Sequence, residues 1–157
     1  MKELRILNSR EIRNIKKIIK SQWDADLKLD YAFLMNDKGR IFIINRELGD
    51  IDFSKLHINN LGLYFGELKT GELRLSIEGS QMVGIFAKKN MVDIDDKNLE
   101  AWMKGEDIEI KADNLRGFVI IKNNKDFLGC GKYKEGKVLN YVPKERRVHL
   151  FQQADSS

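Results

Sequence analysis

Apolar side chains at Ile12, Ile15, Ile18, Ile19 and Trp23 fall on one helical stripe, which predicts a helix over about residues 9–22. Asn8 stands ahead of it and Glu11 three positions later, a capping-box pattern in which each satisfies the other's free N–H. The period then changes from helix to strand. Tyr31–Met35 and Arg40–Ile44 read as strands joined by the turn residues Asn36-Asp37-Lys38-Gly39. Leu63–Leu68 and Glu72–Ile77 form a second hairpin around Lys69-Thr70-Gly71. Along its second arm Leu73, Leu75 and Ile77 alternate with Glu72, Arg74 and Ser76, one face in and one out. Arg46–Leu56 is expected as a short helix or loop, and Gly79–Phe86 as a short helix.

The remaining chain starts again with a strand, Met91–Ile94. Asp95 or Asp96 is expected to cap a helix ending near Met103, with Leu99, Trp102 and Met103 as its buried stripe. Gly105 suits the left-handed backbone that ends such a helix. Five short apolar runs follow, at Ile108–Ile110, Phe118–Ile121, Phe127–Tyr133, Val138–Val142 and Val148–Phe151. The single proline, Pro143, ends the fourth. Short strands separated by Asn/Gly/Lys turns fit a small barrel better than a layered parallel sheet. The fold class is therefore α+β. No Pro/Ser/Gly-rich linker divides the chain, so two units, 1–87 and 88–157, are expected to pack closely.

Charge changes the picture only when it is placed. Of 28 basic and 24 acidic residues, residues 2–20 hold seven basic against two acidic, and 21–128 hold fifteen against nineteen. Between Gly129 and Leu150 six cations (Lys132, Lys134, Lys137, Lys144, Arg146, Arg147) face two acids, a local excess equal to the net +4 of the whole chain. Phosphate attraction would be strongest there. The helix over 9–22 carries Arg10, Arg13, Lys16, Lys17 and Lys20 on its other face, either a solvated surface or a second nucleic-acid contact.

Chemistry beyond charge is sparse. Cys130 is the one cysteine, so neither an internal disulfide nor a thiol metal site can be built, and between two glycines it reads as a small strand residue. His57 and His149 lack partners at ligand spacing. Gly62 and Gly66 precede no helix with a Lys-Ser/Thr pair, and Ser54, Ser76 and Ser80 lie in no nucleophile elbow. No apolar run reaches membrane-span length and the first residues are not a signal peptide. No catalytic constellation, metal site or cofactor is expected, and a cytoplasmic protein is.

Several motifs occur in order. Val92-Asp93-Ile94 is followed by Leu99–Asp107, by Gly117–Ile121, by Phe127-Leu128-Gly129-Cys130-Gly131-Lys132, and by Leu139-Asn140-Tyr141-Val142-Pro143-Lys144-Glu145-Arg146-Arg147. This stretch, roughly 88–150, resembles a PUA domain, a small pseudo-barrel that binds structured RNA. Upstream, Leu61–Gly66 and Leu73–Gly79 resemble the pre-PUA unit of the Nip family of large-subunit ribosome-biogenesis factors, and the tail Phe151–Asp155 is similar to that family's end. The chain also resembles the C-terminal region of Fmu-type rRNA cytosine methyltransferases. Those enzymes need a cofactor-binding fold and two loop cysteines, for which this chain has no room.

The resemblance implies a mixed α/β pre-PUA unit packed on a PUA-like barrel. It implies RNA docked along the first helix, its glycine loop, the next strand and the final strand, hence at Lys104, Gly105, Lys132, Lys144, Arg146 and Arg147. Lys134 and Lys137 are nearby in sequence, and Lys88 and Lys89 would lie near the same end. Arg146 and Arg147 are the leading anchors because a guanidinium fork matches phosphate. Tyr133 or Tyr141 is a candidate to stack a base, whereas Glu106, Asp107 and Glu109 would repel phosphate after Gly105. The expected function is non-catalytic binding of rRNA, or of tRNA, in ribosome biogenesis or rRNA modification. Assembly or modification proteins would meet the N-terminal unit. The rivals are an accessory of an RNA-modifying enzyme and an adaptor whose basic surface meets an acidic protein.

Overall fold

The computed structural model describes residues 4–28, 31–45 and 62–147. The segment expected at 46–56, the strand expected at 148–151, Ser54, His57, His149 and the tail lie outside the described residues. Two five-stranded sheets and three α-helices make up the described chain. The first sheet contains β1 (Arg5–Ile6), β2 (Tyr31–Met35), β3 (Arg40–Asn45), β4 (Leu63–Lys69) and β5 (Glu72–Leu75), paired antiparallel in chain order. β1 has only two residues, too few to register as an alternation, and was not expected.

Helix α1 (Ser9–Trp23) covers this sheet. Both halves of its capping box form: the Glu11 N–H donates to Asn8 Oδ1 at 2.9 Å and the Asn8 N–H donates to Glu11 Oε1 at 3.2 Å. It stops at Asp24, whose φ is +51°. Ile15, Ile19 and Trp23 are buried with Phe33, Ile41, Phe65 and Leu73. The indole N–H of Trp23 reaches past that core and donates to the Phe118 carbonyl at 3.1 Å, tying α1 to the second sheet.

β5 ends two residues short of expectation. The Ser76 hydroxyl accepts the Gly79 N–H at 2.9 Å, so Ser76 caps a helix, α2 (Ile77–Gly84), instead of continuing the strand. Serine at that position satisfies a free helical N–H that an apolar residue would leave bare. Ile77 therefore joins the second core rather than the inward row of Leu73 and Leu75. At the other end of α2 the Phe127 ring packs directly on Gly84, where any Cβ would collide with it.

The second sheet runs in the order β6 (Met91–Asp93), β8 (Gly117–Asn123), β9 (Asp126–Lys134), β10 (Lys137–Asn140), β7 (Ile108–Glu109). β6 is parallel to β8 and the other pairs are antiparallel. This curled sheet with its helix is the expected α+β, PUA-like arrangement. Helix α3 (Asp96–Met103) is capped by Asp95, which accepts the Asn98 N–H at 2.8 Å. Its Trp102 is fully buried inside the curl with Val119, Ile121, Ile108 and Val138. Ile120 and Cys130, on the opposite face, belong to the core of the first sheet. β8 and β9 are thus buried on both faces, which is why Phe118–Ile121 reads as an unbroken apolar run.

β10 also ends early, at Asn140 rather than Val142. The Asn140 side chain donates to the Trp102 and Glu106 carbonyls, both at 2.9 Å, and accepts the Val142 N–H at 2.7 Å. These bonds turn the chain out of the sheet before Pro143 is reached.

Candidate nucleic-acid interface

Antiparallel pairing sets Lys134 opposite Lys137, and Lys132 opposite Leu139. Side chains two apart on a strand, and directly opposite across a pair, point to one side. Lys132, Lys134 and Lys137 therefore share the outer face of the β9–β10 hairpin. Lys134 and Lys137 are exposed, and Lys132 is half-buried. Like charges directly opposite across a strand pair are unfavourable, and Lys134 and Lys137 stand in that relation.

Aromatic rings interleave with these cations. The Lys132 ammonium sits 5.4 Å from the centre of the Phe118 ring. Phe118 meets Tyr141 edge-on at 6.1 Å, and the Arg74 guanidinium of β5 lies 4.6 Å over Tyr141. The ladder Lys132–Phe118–Tyr141–Arg74 thus runs from the second sheet onto the first. Arg74 is held by Glu67 at 2.8 Å.

The chain leaving β10 is more engaged. Arg146 is paired with Glu78 of α2 at 2.7 Å, so this expected anchor is already met by a carboxylate. Arg147 lies over Gly105, whose φ is +93° and where any Cβ would meet the guanidinium. Its Nε donates to the Val142 carbonyl at 3.1 Å. Glycine loop and exit strand are therefore brought together, as expected, with the guanidinium partly committed to holding them. Lys104 stands at 3.8 Å from Glu100, and Lys144 is exposed in a single 3-10 turn, Lys144–Arg146. Of the acids after the loop, Asp107 accepts the Asn140 N–H at 2.8 Å and is a structural cap. Glu106 and Glu109 remain exposed.

Lys88 and Lys89 are not brought to this group. Their N–H groups donate to the Trp23 carbonyl at 2.9 and 3.3 Å, just ahead of edge strand β6. Gly105 leads instead into β7, the opposite edge. The two ammoniums add to the field beside Asp24, whose carboxyl is held below its ordinary range first by the Lys20 hydrogen bond.

Two residues escaped the sequence reading: Arg74 and Glu78. Arg74 is visible there only as the outward residue of an alternating strand, since its partner Tyr141 is far along the chain. Tyr133 is removed from the stacking candidates, because its hydroxyl accepts the Ala112 N–H at 3.2 Å and its ring packs on the inner core. A second basic surface lies on α1. Arg10, Arg13 and Lys17 line a hollow of about 610 Å³ beside Met35 and Leu68. Arg5 is paired there with Glu11 at 2.6 Å, and Lys20 with Asp24 at 2.9 Å and Asp26 at 3.2 Å.

Nucleophilic and metal chemistry find little support among the described residues. Burial pushes the Cys130 thiol up to about 12, far from thiolate formation at neutral pH. Ser76 donates to the Tyr64 carbonyl at 2.6 Å, and Ser80 to the Ser76 carbonyl at 2.8 Å. No group of three His, Cys, Asp or Glu residues is placed to hold a metal. No helix among them is long and apolar enough to cross a membrane.

Comparison with known proteins bears on the same stretch. Residues 89–148 match the family described as Methyltransferase RsmF PUA domain. The chain is 26% identical over 106 residues to ribosomal RNA small subunit methyltransferase F of Vibrio cholerae, covering 66% of this chain and 21% of that protein. It is 28% identical over 99 residues to the enzyme of the same name from Aeromonas salmonicida, covering 62% and 21%. The chain thus spans about a fifth of the length of the curated relatives it matches. With its curled sheet, capped helix and glycine loop, the stretch from 89 to 148 is PUA-like and resembles the PUA domain of the RsmF rRNA methyltransferases.

Proposed function

We propose that this chain is a non-catalytic, cytoplasmic RNA-binding protein that acts on ribosomal RNA in ribosome biogenesis or rRNA modification. A pre-PUA unit, 1–87, meets protein partners, and a PUA-like unit, 88–157, holds RNA. The observation that carries the reading is the shared outer face of Lys132, Lys134 and Lys137 beside the exposed ring of Tyr141. Ammonium groups there neutralise successive phosphates, and Lys144 and the Arg147 guanidinium extend the track toward Gly105. Arg146 contributes once Glu78 releases it. Lys104 borders the same loop, whereas Lys88 and Lys89 serve a separate contact beside α1.

The test is a gel-shift titration against rRNA fragments over a range of salt. With about four phosphates engaged, log affinity falls against log salt with a slope near −0.7 per contact, about −3 overall. A slope near zero removes the reading.

A second reading draws on the match of residues 89–148 to the PUA domain of an rRNA methyltransferase: the chain is an accessory that presents RNA to such an RNA-modifying enzyme. Copurification with such an enzyme, and stimulation of its methyl transfer to rRNA, distinguishes this from independent binding. An adaptor for an acidic protein predicts instead that RNA fails to compete with that protein.

A further inference from the structure

A cleft of about 340 Å³ opens between the two sheets. One wall is Tyr64, Arg74 and Ser76 of the first sheet and its exit, and the other is Tyr141 to Pro143 after β10. Gly129 and Cys130 of β9 lie at its floor, and the Arg146–Glu78 pair stands at its side. Three features set it apart from an ordinary crevice between packed sheets.

First, Tyr141 is 39% exposed, among the few large apolar side chains left open, although an aromatic ring gains by burial. Second, the Arg74 guanidinium already lies over that ring at 4.6 Å and is fixed by Glu67. A planar cation and a planar ring are thus preorganised where a third planar group can stack. Third, Trp102 Nε1 is a fully buried donor with no hydrogen-bond partner among the described residues. It lies about 4.0 Å from where a Cβ of Gly129 would stand, with Ile77 Cγ1 nearer at 3.5 Å, so Gly129 and the Ile77 side chain are placed between the indole N–H and the cleft. A buried orphan donor is unfavourable, and an acceptor entering past Gly129 as the Ile77 side chain gives way would satisfy it.

We infer that this cleft takes one unpaired nucleotide of RNA. Its base stacks on the Arg74–Tyr141 pair, and a ring carbonyl reaches toward the Trp102 indole N–H past Gly129. The inference rests on the RNA-binding function proposed above and adds its specificity. The lysine face follows the backbone of any strand, whereas the cleft admits only a base that is out of a duplex. It also gives the first sheet a direct part in recognition, through Arg74. Uracil, cytosine and guanine carry carbonyl oxygens that project beyond the ring, whereas the acceptors of adenine are nitrogens within it, so strands rich in uridine are preferred over strands of adenosine.

The chain holds two tryptophans, which makes the experiment simple. The indole N–H resonances of the full chain are followed while single-stranded oligouridine is added, with binding measured in parallel by gel shift. Trp23 serves as the internal reference, because its N–H is already bonded to the Phe118 carbonyl. The expected result is a downfield shift of the Trp102 N–H on binding, with Trp23 moving much less. Tyr141→Ala weakens oligouridine binding by roughly tenfold or more, and Tyr141→Phe retains it, as stacking requires. Arg74→Met gives a second loss without touching the second sheet. A fully paired duplex of the same length leaves the Trp102 resonance in place. If oligouridine binds but Trp102 stays put and Tyr141→Ala binds normally, the cleft is not the site, while the lysine face stands. If wild-type protein binds no RNA in the gel shift, the proposed function itself falls and takes the cleft with it.

Discussion

Two basic surfaces of this molecule carry similar charge and differ in everything around it. On α1, Arg10, Arg13 and Lys17 border a hollow whose described lining contains no aromatic side chain. On the β9–β10 hairpin, Lys132 sits over Phe118, and Phe118 leads through Tyr141 to Arg74. Cations alone attract any phosphate backbone, with strong salt dependence and no preference for base or strand state. Cations interleaved with rings also stack bases, which favours single strands. Charge therefore says where a polyanion lands, and the rings say which surface can recognise it. The exit from β10 adds a further contrast, since Arg146 and Arg147 are the best phosphate ligands by chemistry yet are both already engaged by protein groups.

Trp102→Ala should have the largest effect, because it removes the indole on which β9 of the hairpin surface rests and leaves α1 untouched. Loss of a buried tryptophan costs about 3–5 kcal/mol, readable as a lowered urea midpoint. An unchanged midpoint would mean that the hairpin needs no such support.

Charge reversal compares the two surfaces directly. Lys132→Glu/Lys134→Glu/Lys137→Glu is expected to lower affinity for single-stranded RNA about a hundredfold, through lost contacts and added repulsion. Arg10→Glu/Arg13→Glu/Lys17→Glu should lower it less than about tenfold. Equal losses erase the distinction, and the reverse order assigns recognition to α1. A smaller change comes from Glu78→Gln, which frees Arg146. Affinity rises about twofold and the salt slope steepens by about 0.7, one added contact.

The smallest effect is one of pH. Arg5, first, and the Asn8 N–H hold the Glu11 carboxyl below its ordinary value of 4.5. The folded state thus takes up that proton less readily than the unfolded one. The stabilisation is present above the ordinary value and is lost as pH falls through the lower folded one. Amide resonances at the start of α1 should shift in that acid range, below 4.5. A Glu11 carboxyl titrating at its ordinary value would contradict the capping geometry.

Local patterns were legible in the sequence and distant ones were not. Asn8, Glu11 and the apolar stripe gave α1 because every determinant lies within a few turns. Asp95, Gly105 and the hairpin turns placed α3 and most of the second sheet for the same reason. The ends of β5 and β10 were misplaced because Ser76 and Asn140 spend their side chains on backbone groups, and alternation carries no record of that. At the candidate site, Lys132, Lys134 and Lys137 could be grouped from strand period alone. The capture of Arg146 by Glu78, and the seating of Arg74 on Tyr141, join residues 67 or 68 positions apart. Net charge counted Arg146 as available when a carboxylate already holds it. Gly129 and Gly131 were visible as a motif, but their reason is tertiary. At Gly131 a Cβ would strike Val138 and, at 2.8 Å, the Trp102 ring.

In the proposed function, the lysines on the outer face of the β9–β10 hairpin hold the RNA. The most direct test is the salt dependence of RNA affinity for the wild-type chain against Lys134→Ala/Lys137→Ala. Removal of two phosphate contacts should flatten the slope by about 1.4, from about −3 to about −1.6. The same slope in both proteins would show that these lysines face water alone, and the account would be wrong.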